Sequence, residues 1–137
     1  MKCKAVAVHE LGRLVVEEVE LDEPRSDELL VRLGATGVCH SDLSVLNGTI
    51  SQPLPMVLGH EGAGVVEKVG EGVRHPAVGD HVVLSMVPSC GDCYFCLRGE
   101  QQFCRAAKGD GKMLDGTSRL HMNGSDLGAF QNLGCMA

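Results

Sequence analysis

Short runs of alternating apolar and polar residues fill the first third of the chain. Lys2 to His9, with Val6 and Val8, predicts a first strand, and Leu14 to Leu21, with Val15, Val16 and Val19, predicts a second beyond a turn at Gly12. A third runs from Leu29 to Leu33, after a turn at Pro24–Asp27. Short strands with tight connections suit a meander or a barrel. From Val38 the pattern changes. Ser41 to Leu46 predicts a short helix that Gly48 ends. Pro53 and Pro55 impose an extended arm, and Val57 to Val69 is a loop followed by a strand from Ala63 to Val69. Another strand is expected from His81 to Val87, introduced by Gly79-Asp80. Beyond Pro88 the apolar period disappears and cysteines take over, so this segment cannot fold on apolar burial alone. The expectation is one mainly β domain, a partly open barrel with short helices, carrying a metal-braced lobe from Pro88 to His121.

Composition narrows this picture. A chain of 137 residues that is 44% hydrophobic can bury a real core. With no Trp, one Tyr and three Phe, that core must be built from valine, leucine and alanine, which favours sheet. The net charge of −6 leaves no basic stripe to engage a phosphate backbone, so nucleic acid is excluded as a partner. The acidic stretch Glu17, Glu18, Glu20, Asp22, Glu23, Asp27 and Glu28, relieved only by Arg25, reads as a solvated strand face and turn. No apolar run is long enough for a signal peptide or a membrane anchor. Seven cysteines without an export signal point to a reducing, cytoplasmic setting, where clustered thiols bind metal more often than they form disulfides.

Four of those cysteines form the firmest chemical signal. Cys90-Gly-Asp-Cys93-Tyr-Phe-Cys96 is followed, after seven residues, by Cys104. Two-residue gaps let successive thiolates turn towards one ion, and four thiolates close a tetrahedral zinc site with no open position, a structural role. Structural zinc in small thiolate sites is worth about 10–16 kcal/mol apparent, enough to order a lobe without a core. An iron–sulfur cluster is the rival, but the ferredoxin run puts its fourth cysteine after three residues and follows it with proline, whereas Arg105 follows Cys104 here.

Cys39 and His60 offer a second set of donors. Alone, each has an ordinary explanation, Cys39 as a small core residue and His60 as a hydrogen-bonding group. Their contexts are more specific. Cys39 lies in Gly37-Val38-Cys39-His40-Ser41-Asp42, and His60 in Leu58-Gly59-His60-Glu61-Gly62-Ala63-Gly64, with Gly70 and Val73 beyond. Gly59 and Gly64 suggest close approach of backbones.

With the quartet behind them, these motifs make the chain resemble the zinc-containing medium-chain dehydrogenases, and the classical alcohol dehydrogenases among them. Asp115-Gly116-Thr117-Ser118-Arg119 is similar to a stretch of the alcohol and glutathione-dependent formaldehyde branches. The resemblance covers essentially the whole chain. It implies a GroES-like barrel with Cys39 and His60 on a catalytic zinc, Glu61 close enough to approach the metal, and the quartet Cys90, Cys93, Cys96 and Cys104 on a structural one. It further implies that Asp42 hydrogen-bonds His60, that Ser41 takes the proton from the alcohol, and that His40 lies near the cofactor pyrophosphate. The implied reaction interconverts alcohols with aldehydes or ketones, hydride passing to NAD or NADP.

Two departures qualify the likeness. Ser44 stands where some members carry a relay histidine. No Gly-x-Gly-x-x-Gly follows a strand, and the family's third catalytic ligand is expected beyond Ala137; Cys135 does not stand at that ligand's position in the family. The chain is therefore expected to be an incomplete catalytic domain, 1–137, without a dinucleotide-binding domain and inactive alone. Its unpaired barrel edge would favour a homo-oligomer. The competing reading is a non-enzymatic, zinc-stabilised barrel that binds a protein partner.

Overall fold

A computed structural model describes residues 1–106 and 108–130; Cys135 lies outside them. Valine-rich alternation produces the expected opening strands, β1 (Lys2–Glu10) and β2 (Arg13–Leu21), paired antiparallel from Lys2 opposite Glu20 to Glu10 opposite Arg13. Next come β3 (Leu29–Thr36), α1 (His40–Leu46), β4 (Met56–Val57), β5 (Gly62–Val69), β6 (His81–Val83), α2 (Tyr94–Leu97), β7 (Leu120–Met122) and β8 (Ser125–Ala129). A single 3₁₀ turn at Gln101–Phe103 follows α2.

The strands form two bodies of sheet. β1, β2, β7, β8 and β4 close into a ring, whereas β3, β5 and β6 make a separate antiparallel sheet whose outer strands, β3 and β6, pair with no further strand among the described residues. The barrel is thus closed, and the openness expected of it belongs to the second sheet. Ala5, Ala7, Val19, Val57, Leu120, Leu127 and Ala129 fill one core. A second core joins α1 to the barrel through Val45, packed with Val8, Met56, Leu58 and Phe130. Small and branched aliphatic side chains alone carry the first core, whereas the second is also filled by Met56 and Phe130, the largest fully buried side chains among the described residues.

Three boundaries moved. β3 runs on to Thr36, because Ala35 and Thr36 pair with Ala63 and Gly62. β6 stops at Val83 rather than Val87, its partner strand β5 beginning at Gly62. The expected lobe of 88–121 overlaps the barrel at its end, where Leu120 and His121 pair with Leu21 and Glu20 of β2. Between Val66 and Leu120, Cys96 is the one buried apolar side chain among the described residues, as a segment without a core requires. No described helix is long and apolar enough to cross a membrane.

The acidic stretch is balanced from far away. Glu18 pairs with Lys2, Glu23 with Lys68, Glu28 with Arg119, and Asp22 with His121 as well as Arg25. Arg25 is therefore not its sole counter-charge.

Gly64 joins β3 to β5 at close quarters: a Cβ there would lie 2.2 Å from the Arg32 carbonyl oxygen. That obstacle is backbone, so the strands themselves must part to admit a methyl group. Gly64→Ala is expected to cost about 1–3 kcal/mol, read as a lower denaturation midpoint at unchanged slope in urea.

Candidate metal centres

The quartet is gathered by two tight turns and α2. Cys93 caps α2 and Cys96 lies within it, so one helical turn brings their sulfurs to 3.5 Å. Cys104, after the 3₁₀ turn, sits 4.0 Å from Cys93 and 3.7 Å from Cys90, sulfur to sulfur. These separations are far beyond a disulfide bond of about 2.05 Å. A tetrahedron of thiolates at the usual zinc–sulfur distance of about 2.3 Å has edges of about 3.8 Å. The cluster fits such an ion. The Cys104 thiol is held down to about 6, chiefly by the backbone N–H of Cys90 and then that of Ala106, whereas Cys90 is pushed up to about 12, chiefly by its hydrogen bond with the Asp92 side chain. A thiol poised to lose its proton near neutrality is a ready ligand.

The second cluster is built by α1 and the loop before β5. Cys39 is the N-cap of α1, in extended conformation. Asp42, one turn in, accepts the Cys39 backbone N–H through Oδ2 at 3.0 Å and the Gly59 N–H through Oδ1 at 3.1 Å. One buried carboxylate therefore ties together the two segments that carry Cys39 and His60. The donor atoms of Cys39, His60 and Glu61 lie within 4.8 Å of one another. His60 is 2% exposed and packs edge-to-face on Phe130, with ring centroids 5.1 Å apart.

The two nitrogens of His60 differ in their surroundings. Nε2 faces Ser41 Oγ at 3.3 Å. Nδ1 comes within 3.4 Å of Asp42 Oδ1, yet it makes no aligned hydrogen bond and is buried. The expected Asp42–His60 hydrogen bond is thus not formed, because the Asp42 oxygens are directed at the Cys39 and Gly59 amides. A metal on Nε2 would fix the proton on Nδ1, beside that carboxylate, and would account for the burial of this otherwise unpaired nitrogen. A soft thiolate, an imidazole and a carboxylate form a donor set that zinc accepts.

A cleft of about 470 Å³ opens beside this cluster, lined by Thr36, Gly37, His60, Glu61, Val83 and Met86 among others. His40 is exposed at the start of α1 and does not join the cluster; its Nδ1 lies 3.4 Å from the hydroxyl of buried Ser44, which also donates to the His40 carbonyl at 3.1 Å. Sequence reasoning did not find Thr36 or Phe130. Thr36 directly precedes the Gly37–Asp42 motif, a signal that was available, whereas nothing local to Phe130 hints at its place on His60.

The alcohol dehydrogenase GroES-like domain family matches residues 25–136. The chain is 46% identical over 137 residues to the NDMA-dependent alcohol dehydrogenase of Amycolatopsis methanolica, an alignment that covers 98% of this chain and 37% of that protein. It is 48% identical over 140 residues to the S-(hydroxymethyl)glutathione dehydrogenase of Komagataella pastoris, covering 98% and 36%. A crystal structure of an alcohol dehydrogenase zinc-binding domain protein from Burkholderia ambifaria superposes with a TM-score of 0.88 at 42% identity, over 96% of this chain and 37% of that one. This chain spans little more than a third of the length of these relatives.

Proposed function

The chain belongs to the alcohol dehydrogenase GroES-like domain family, and on that premise we propose that it serves as the catalytic domain of a zinc-dependent dehydrogenase interconverting alcohols with aldehydes or ketones. One observation carries the reading: Cys39, His60 and Glu61 converge to within 4.8 Å beside a cleft large enough for a small substrate. Cys39 and His60 would supply two ligands, with the Glu61 carboxylate within reach, a mixed and incompletely closed donor set of the catalytic rather than the four-thiolate structural kind. When bound there, zinc supplies Lewis acidity to the substrate oxygen.

The remaining work falls to the chain's own side chains. Asp42 keeps the Cys39 and His60 segments in register through its two amide contacts. Ser41 Oγ, 3.3 Å from His60 Nε2, is the group to take up the hydroxyl proton of an alcohol, or to return it to an aldehyde. His40, exposed at the helix start, is free to meet the pyrophosphate of NAD or NADP. The dinucleotide itself would be held by residues outside these 137. The quartet Cys90, Cys93, Cys96 and Cys104 would hold a second, structural zinc that takes no part in the reaction.

Zinc analysis of the purified chain tests this division. Two ions per chain are expected, with one lost in Cys39→Ser and both the quartet ion and the fold retained. A single ion in both proteins would remove the catalytic centre from the account. Alcohol oxidation by the chain alone would overturn the assignment of nucleotide binding elsewhere.

A further inference from the structure

We propose that Gly37 is a positioning residue, reserving the space from which the Glu61 carboxylate reaches a metal held by Cys39 and His60. The inference rests on the reading of that cluster as a metal centre. A Cβ at Gly37 would stand 2.1 Å from Glu61 Oε2, 3.2 Å from its Cβ and 3.3 Å from its Cδ. Non-bonded heavy atoms do not approach to 2.1 Å, so any side chain at this position must displace the carboxylate. Conformation does not demand glycine here, because Gly37 lies outside the left-handed region. Only the approach of Glu61 does.

The main chain of Glu61 is meanwhile fixed. Gly37 N–H donates to the Glu61 carbonyl at 2.9 Å, and Thr36 Oγ1 donates to the same oxygen at 2.8 Å. The next residues, Gly62 and Ala63, are paired to Thr36 and Ala35 across the sheet. With its backbone held on this side, Glu61 answers an intruding methyl group chiefly by turning its carboxylate away, while its Cβ, at 3.2 Å, gives by a small fraction of an ångström. The carboxylate then leaves the position in which it lies within 4.8 Å of the Cys39 and His60 donors. The severe clash is with the far end of a flexible side chain, whereas at Gly64 it is with a carbonyl of the neighbouring strand. Gly37→Ala should therefore spare stability and tax metal binding, the opposite of a glycine kept for the fold.

Cobalt(II) titration of the full chain, its quartet first filled with zinc, reads the site by visible absorption. Gly37→Ala and Glu61→Gln are each expected to weaken cobalt about 10- to 100-fold. The double variant should be no weaker than Glu61→Gln alone, and the melting temperature of Gly37→Ala should match the parent. If Gly37→Ala binds as the parent does while Cys39→Ser does not bind, the positioning role is wrong and the metal centre stands. If Cys39→Ser binds as the parent does, or the parent takes up no cobalt, the metal centre itself is wrong. Loss of cooperative melting in Gly37→Ala would make the glycine structural and overturn the proposal.

Discussion

Serine in place of Cys90 is expected to unfold the segment from Pro88 to Cys104 and to leave the barrel standing. The segment has little else to hold it. Tyr94, Leu97 and Phe103 are exposed, and Cys96 is its one buried apolar side chain. Its aromatic contacts, Tyr94 on Phe95 and Phe95 on Phe103, lie within the lobe itself and tie it to nothing beyond. Removing one of four thiolates opens the closed site and costs most of the affinity that orders such a lobe. The damage should stop near Gly111, whose carbonyl accepts the Ala129 N–H at 2.8 Å and so belongs to the barrel side. Both apolar cores lie outside the segment. Hydrogen exchange should accordingly show loss of protection at Leu97, Arg98 and Gly99, whose amides close the turn of α2, with protection of β1 and β2 unchanged. Zinc chelation should reproduce the pattern. Retained protection at those amides in Cys90→Ser would mean that something other than the metal orders the lobe.

What could be read in advance follows the range of the interactions involved. β1, β2 and β5 were legible because valine alternation is a local signal, and α1 because Gly48 stops it. β4, β7 and β8 were not. Met56-Val57 is too short to carry a period, and Leu120–Met122 is a strand only because β2 and β8 flank it. The tail of β3 is Gly34-Ala35-Thr36, small residues whose pairing is decided by β5. The same rule governs the sites. Cys90, Cys93, Cys96 and Cys104 lie close enough in sequence for spacing alone to imply a ligand set. Cys39 and His60 are brought together by Asp42 across the fold, so their partnership was visible only through family likeness. Gly37 stands in the motif Gly37–Asp42, yet its physical reason, the Glu61 carboxylate, comes from another strand's end.

Arg119→Ala is expected to cost about 3 kcal/mol, the lower part of the range for breaking a buried ion pair. Arg119 is 7% exposed and grips Glu28 with two bonds, Nε to Oε2 at 2.9 Å and Nη2 to Oε1 at 2.5 Å. Nη2 also donates to Asp115 Oδ2 at 2.6 Å, and Nη1 to Thr117 Oγ1. These contacts clamp the turn before β7 onto the entry to β3, two places 91 residues apart. Without the guanidinium, Asp115 keeps Arg25, 3.3 Å away, but Glu28 loses its charged partner. That imbalance puts most of the cost on Glu28. The pH dependence separates this clamp from simple loss of packing. Asp115 is held well below the usual carboxylate range, first by its Arg119 hydrogen bond. Burial alone would raise Glu28, but the bonds from Arg119 and the Arg25 amide outweigh it and the net shift is downward. Depressed carboxylates stabilise the fold above their unfolded values, and that contribution is lost as pH falls through the folded ones. The difference in unfolding free energy between parent and Arg119→Ala should thus be full at pH 7 and shrink as the pH drops below about 4. Urea titrations at the two pH values measure it, and an equal difference at both would assign the loss to packing of the Arg119 stem instead of its charge.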